Sequence, residues 1–258
     1  MKTITKHINF VKEIYVQAFK QLKEYSVNFW SVFVFDIVLF FVYLLFYSVI
    51  LGISSEFLPW NFLDFILFYF SISLITKLTY FFRIKYFSSK LINGDLNVWR
   101  TKPINTFIAI SMQNKDSAIY TTFLYIFPLG YIFYIGDNSN YFLAFLLLFF
   151  SLIYYIFFIA FFQSLAFFIK RNEVFVKTSN QLHYLNEQFT PKVFEKSLLV
   201  FLYFLPSALF GYFFIEFLNE RFEEFFKYNL GIGLSFLFFI FGTYILWKVG
   251  LKKYEAFG

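Results

Sequence analysis

Between Val27 and Ile53 the chain carries a single charge, Asp36, among residues that are almost all apolar or aromatic. A soluble amphipathic helix needs a polar face, and this run has none. It is long enough to cross a bilayer, whose hydrocarbon core takes about 20 residues of helix. Five further apolar runs follow, at about 61–82, 117–135, 141–169, 198–217 and 229–248. A lone segment in lipid must satisfy its own backbone hydrogen bonds, so each run is expected to be an α-helix. The expected fold class is an all-α integral membrane protein with six transmembrane helices, built as one domain over 27–258. Charged residues make up 15% of the chain, against about 25% in a soluble domain, which leaves too little polar surface to coat a globule.

The first 26 residues have a different pattern. Ile4, Ile8, Val11, Tyr15, Ala18 and Leu22 recur at helical spacing, with Lys2, Lys6, Glu13, Lys20 and Glu24 opposite. That predicts an amphipathic helix in the cytosolic headgroup layer, in contact with membrane lipids. The first apolar run is too long for a signal-peptide core and lacks a small-residue cleavage site, so it is expected to remain as a span. Residues 214–229 carry a Phe214, Leu218, Phe222, Phe225 stripe opposite Glu216, Glu220, Glu223 and Lys227, which predicts a short external amphipathic helix.

Basic residues orient the spans. Residues 1–26 carry Lys2, Lys6, Lys12, Lys20 and Lys23, and the 83–116 loop carries Arg83, Lys85, Lys90, Arg100, Lys102 and Lys115. The 170–197 loop carries Lys170, Arg171, Lys177, Lys192 and Lys196, and the C-terminal end Lys248, Lys252 and Lys253. The alternate connections 54–60 and 136–140 carry none, and 218–228 carries Arg221 and Lys227. This alternation puts both termini and the first set of loops in the cytosol of a cell-membrane protein. It also accounts for the +6 net charge without nucleic acid as a partner. Trp30, Trp60 and Trp247 fall near span ends, where indole favours the interface.

The chain has no cysteine, which excludes disulfides and thiol chemistry. It has no phosphate-binding G-x-x-x-x-G-K-[ST] loop and no H-E-x-x-H pair. Its two histidines, His7 and His183, lie in different segments, so no metal site is expected. No carboxylate pair stands at helical spacing inside a span, as a metal-dependent membrane transferase would need. The chain is read as a non-enzyme with no cofactor of its own.

Two charges fall inside predicted spans at similar depth, Asp36 in the first and Lys77 in the second. Charges in lipid pair or face water. The sharper reading is an Asp36–Lys77 pair or a coupling-ion site. The plainer one, which the sequence alone favours, is a snorkelling Lys77 and an Asp36 facing cytosolic water. Pro128 and Pro206 interrupt the third and fifth runs, each removing a helix hydrogen bond. Gly211 follows Pro206, so the fifth span is the best candidate to line a pathway.

The loop between the second and third spans reads Gly94-Asp95-Leu96, then Lys102-Pro103-Ile104-Asn105. With Phe167-Phe168, Asn180, Phe189-Thr190-Pro191 and Pro206 farther on, the chain resembles the six-span permease subunits of type-2 ATP-binding-cassette (ABC) transporters. It departs from their pattern at Arg100-Thr101, at the Thr inside the aromatic–Pro step and at Phe213, where relatives often have a second Pro. The resemblance implies that loop 83–116 forms a short coupling helix docking on a separate ATPase subunit, which binds ATP-Mg. It also implies a second permease chain, making a homodimer or heterodimer, and transport that is mostly export. Gly94 would make the turn and Asp95 favour a helix start. Leu96, Val98 and Trp99 would anchor the ATPase, Arg100 and Lys102 supply charge, and Pro103 start the next element. The competing functions are an ion-coupled secondary transporter or channel using Asp36 and Lys77, and a lipid-modifying membrane enzyme.

Overall fold

The structure is a computed structural model. It describes residues 12–13, 16, 20, 24, 26–54, 60–81, 87–101, 105–107, 125–126, 129–130, 139–169, 173–194 and 196–254. These are helical throughout apart from turns, with no strand among the described residues. In chain order the helices are α1 (Ser26–Ser54), α2 (Phe62–Phe81), α3 (Phe87–Ile92) and α4 (Leu96–Arg100). After them come α5 (Ser139–Ser164), α6 (Glu173–Gln188), α7 (Lys196–Tyr203), α8 (Pro206–Leu218) and α9 (Glu223–Lys253). Single 3-10 turns occur at Leu165–Phe167 and Pro191–Val193.

Four of these helices, α1, α2, α5 and α9, are long and apolar enough to cross a membrane. The predicted third span, 117–135 with Pro128, lies outside the described residues except for Tyr125, Ile126, Leu129 and Gly130. So does the apolar stripe of the N-terminal helix, of which Lys12, Glu13, Val16, Lys20 and Glu24 are described as helical and exposed.

On α1 and α6 burial runs opposite to that of a helix in a soluble protein. On α1, Val34, Phe35, Val38, Phe41, Val42, Leu45 and Val49 face outward while Asp36 is buried. On α6, Val174, Phe175 and Tyr184 are exposed while Ser179, His183 and Asn186 are buried. A helix whose surroundings are lipid turns its apolar side out and its polar side to its neighbours. The core lies where α2, α5 and α8 meet, around Phe68, Tyr154, Phe210, Tyr212, Phe213 and Phe214. Gly211 lets α8 approach α2 closely, because a Cβ there would sit 2.8 Å from a Phe68 ring carbon.

The fifth apolar run is broken as its proline predicts. α7 ends at Tyr203, Leu205 is extended, and Pro206 opens α8 at its first turn. Residues Leu209–Phe213 then form a π-helical turn, a local irregularity that recurs at functional sites. Pro206 has no N–H to give the Leu202 carbonyl, which accepts from the Leu205 N–H at 3.1 Å. The Asn186 side-chain amide donates to the same carbonyl at 3.0 Å and reaches Ser207 Oγ at 3.1 Å. The Phe204 carbonyl, also at the break, accepts from the Tyr154 hydroxyl at 2.7 Å. Non-helical backbone therefore persists among apolar side chains because polar groups from α5 and α6 complete it.

Two sequence expectations are corrected. Residues 170–197 are not simply a connection at one end of the bundle. His183 packs on Tyr155 and Phe158, so α6 runs back along α5. Lys192 then lies 3.4 Å from Glu224 at the start of α9, whereas Trp247, near the other end of α9, packs on the 87–107 loop. The charge pattern places Lys192 among the cytosolic residues, yet it sits at the end of the bundle far from that loop. Polar residues interrupt α6 too often for it to stand out as an apolar run, and its polar side is buried against the protein.

The second correction concerns 214–229, which forms no separate external helix. Residues to Leu218 belong to α8, the chain reverses over 219–222, and α9 begins at Glu223. The reversal uses a left-handed Glu220 (φ 61°), with Arg221 N–H donating to the Glu216 carbonyl at 2.8 Å and Glu220 N–H to Phe217 at 3.2 Å. That is a Schellman ending, more often built on glycine. Here Asn140 donates to the Glu220 carboxylate at 3.0 Å and holds it. The aromatic stripe closes the hairpin, with Phe217 and Phe225 rings 4.9 Å apart.

Asn186→Leu is expected to lower stability by about 1 kcal/mol, because the Leu202 carbonyl and Ser207 Oγ each lose a buried hydrogen bond while the carbonyl keeps the Leu205 N–H. Thermal unfolding in detergent measures it.

Candidate functional site

The described part of loop 83–116 is a helix–turn–helix corner. α3 ends in a Schellman motif, with Asp95 N–H donating to the Lys90 carbonyl at 3.0 Å and Gly94 N–H to Leu91 at 3.3 Å. Gly94 has φ 81°, and a Cβ there would meet nothing within 4 Å. The glycine is needed for its backbone angle, not for space. Asp95 precedes α4, where an acid complements the helix N-terminus.

Leu96 is fully buried with Phe87, Leu91 and Ala166, and Phe167, Trp247, Leu251 and Tyr254 pack around them. This corrects the expectation that Leu96 belongs to an apolar surface offered to an ATPase. It fastens α4 to the protein itself, because a five-residue helix has too little internal hydrogen bonding to hold alone. The outward face is Asp95, Asn97, Val98, Arg100 and Thr101. The Trp99 side chain, Lys102 and Pro103 lie outside the described residues. Asn105 accepts from the Phe107 N–H at 3.0 Å through its side chain, capping the segment that follows.

Trp247 is the joint between this corner and the bundle. Its ring lies 4.7 Å from Phe87, 4.9 Å from Phe107 and 5.5 Å from Phe167. It thus touches both sides of the loop, the end of α5 and, through its backbone, α9. The Ser88 N–H donates to Gln163 of α5 at 2.9 Å. Tyr254 donates to the Leu91 carbonyl at 3.5 Å. Burial raises its phenol above the ordinary value, with Arg100 opposing and Asp95 adding to the shift, so it remains a donor at neutral pH.

A second polar centre lies between α1, α2 and α6. Lys77 Nζ donates to both oxygens of Asp36, at 2.9 and 2.8 Å. The two side chains are 15% and 6% exposed. The structure therefore joins the two charges that the plainer sequence reading kept apart. Beside them Thr76 donates to Glu187 at 3.4 Å and Gln188 to the Tyr43 hydroxyl at 2.6 Å. These groups border a cavity of about 310 Å³. Pro206 does not reach it; it lies buried at the α7–α8 break.

The far end holds a network that the sequence does not disclose. Trp60, expected at the interface, is buried and donates to Glu216 at 2.8 Å. Arg221 lies 3.6 Å from the same carboxylate. Tyr203 and Tyr212 both donate to Glu224, at 2.7 and 2.6 Å, and Asn219 donates to Asp64 at 3.0 Å. Helical periodicity puts Glu216 on an exposed face; the tryptophan that claims it comes from another element. Among the described residues no cluster of His, Asp and Glu is placed to hold a metal. His183 is enclosed by the Tyr155 and Phe158 rings, and neither ring nitrogen has a hydrogen-bond partner.

Apolar helices long enough to cross a bilayer, with large hydrophobic side chains facing outward, define a multi-pass membrane protein. The family profile for the ABC-2 family transporter protein matches residues 37–258. The chain belongs to that family, whose members are the permease components of ABC transporters and work with an ABC ATPase. No curated protein and no solved structure matches the chain.

Asp36→Asn is expected to destabilise the protein by about 3 to 5 kcal/mol by leaving Lys77 buried without its partner. Asp36→Lys alone should do at least as much harm. The Asp36→Lys, Lys77→Asp double reversal should recover part of the loss, read as the melting temperature in detergent.

Proposed function

We propose that this chain is the permease half of an exporter whose ATP hydrolysis is carried out on a separate ATPase subunit docked at loop 83–116. The observation that carries this reading is the split role of α4. Its inner side, through Leu96, is locked to Trp247, Leu251 and the end of α5. Its outer side presents Asp95, Asn97, Val98 and Arg100. A short helix with one face embedded and one face offered can take a displacement from a partner and pass it to α5 and α9. Val98, 59% exposed, is the apolar contact, and Asp95 and Arg100 give charge specificity. Gly94 sets the angle at which α4 meets the partner.

The working unit is a pair of permease chains in the cell membrane, each with six spans and cytosolic termini, and an interfacial helix before the first span. A single bundle with its core filled by Phe68, Tyr154 and Phe210 leaves little room for a path through it, so the path lies between two chains. The break at Pro206 and the π-helical turn after it make α8 the element that changes shape during the cycle. ATP-Mg belongs to the ATPase. Export is the direction the family favours.

The test is co-purification with an ABC ATPase subunit co-expressed with this chain, followed by ATP turnover. Gly94→Trp, Asp95→Lys and Val98→Asp should each cut assembly or turnover by at least about tenfold, on the order of 1.4 kcal/mol. Leu96→Ala should preserve ATPase binding less faithfully than Val98→Ala, because it frees α4 from the bundle. If the surface substitutions change neither assembly nor turnover, the docking role is wrong. Flux driven by a proton or sodium gradient without ATP would instead favour a secondary transporter.

A further inference from the structure

We propose that the Glu224 carboxylate is a latch that holds both arms of the broken segment, α7 and α8, against α9, and that it opens when α8 changes shape. One oxygen of Glu224 accepts from both Tyr203 and Tyr212, at 2.7 and 2.6 Å. Its other oxygen lies 3.4 Å from Lys192 Nζ. Tyr203 closes α7 just before the break, and Tyr212 stands inside the π-helical turn after it. Lys192 belongs to the 3-10 turn that follows α6, and Glu224 to the first turn of α9. One carboxylate therefore ties four consecutive pieces of chain together. Its bonds are charge-assisted, which makes them roughly twice as strong as neutral ones.

The rings make the tie specific. Tyr203 and Tyr212 stack 5.5 Å apart at 22°, and Tyr212 stacks on Trp60 at 5.9 Å and 20°. Stacked side by side, the two phenols present their hydroxyls to one acceptor. Lys192 Nζ also lies 5.4 Å over the Tyr212 ring, within reach of a cation–π attraction.

Exposure separates this cluster from the other ion pair between helices. Asp36 and Lys77 are 6% and 15% exposed, and parting them would strand a charge in an apolar surround. Glu224 and Lys192 are 37% and 25% exposed, so water can replace either partner when they separate. A tie that water can replace opens and recloses. The surroundings add little resistance. The break, the π-helical turn and the 3-10 turn all depart from regular helix. The buried Asn186 Oδ1 and Thr190 Oγ1 have no hydrogen-bond partner, so a shift here breaks nothing at either atom. That the latch opens during transport rests on the permease reading; that Glu224 holds α7 and α8 does not.

Hydrogen exchange on the full chain in lipid nanodiscs reads the latch without a partner. In Glu224→Ala the amides of Leu209–Phe213 should exchange at least about tenfold faster than in the unaltered chain, while those of α5 keep their rate. The Tyr203→Phe, Tyr212→Phe double variant, which keeps the rings and removes both donors, should do the same. Glu223→Gln, one residue away and exposed, should do neither. Unchanged exchange at Leu209–Phe213 in both variants, or a rise shared equally by α5, would overturn the latch and leave the permease reading standing. The chain has no native cysteine, so a Lys192→Cys, Glu224→Cys variant can be joined by a reducible bis-methanethiosulfonate. With the latch so closed, a co-expressed ABC ATPase subunit should still assemble, and ATP turnover should fall at least about tenfold and return on reduction. Full turnover in the joined chain overturns the opening step. Failure of any ATPase to assemble, with the exchange result intact, removes the permease reading and supports the latch.

Discussion

A buried ion pair governs how this bundle is assembled. Asp36 and Lys77 come from consecutive long helices, and either charge alone in an apolar surround costs several kcal/mol. Meeting at 2.8 Å, they fix the register of α1 against α2. They also explain why α6 turns its polar side inward, since Thr76–Glu187 and Gln188–Tyr43 extend the same polar seam. The same rule recurs at several sites: where lipid is the solvent, polar groups that cannot reach water pair with each other, although His183 is buried between rings without a hydrogen-bond partner. Asn186 at the Leu202 carbonyl, Tyr154 at the Phe204 carbonyl and Trp60 on Glu216 all follow it.

The same logic anchors the loop corner. A helix as short as α4 is held by its tertiary contacts, and Leu96 is clamped by a cluster that includes Trp247 and Phe167. Those residues sit at the ends of α9 and α5, two helices that pack along each other. The broken segment α7–α8, packed on α5 and α6, is the softer neighbour. Its π-helical turn and proline leave fewer regular backbone bonds to resist rearrangement.

Much of this is legible in the residue order. Runs of apolar residues mark α1, α2, α5 and α9, because length and composition alone decide whether a helix can cross lipid. Pro206 and Gly211 mark the broken segment, because a missing N–H acts locally. Gly94 marks the corner through its backbone angle. Other features are hidden. α6 reads as a loop, since its polar residues look solvated until Tyr155, Phe158 and Ser207 are seen to cover them. Leu96 reads as a docking anchor, since hydrophobicity does not say which partner it meets. The 214–229 stretch has helical periodicity throughout, and only the left-handed Glu220 reveals the reversal.

The sequence by itself determined that the chain lives in a membrane as helices, that Pro206 breaks one of them, and that Gly94 makes a turn before a short helix. These follow from transfer free energies and local backbone chemistry, which act over a few residues. Only the tertiary structure decided which polar groups are partners. Asp36 with Lys77, Asn186 with the Leu202 carbonyl, and Lys192 with Glu224 at the far end all join residues distant in the chain. The reason is that a charge or amide in an apolar run states a need, and the packing of the helices determines what meets it.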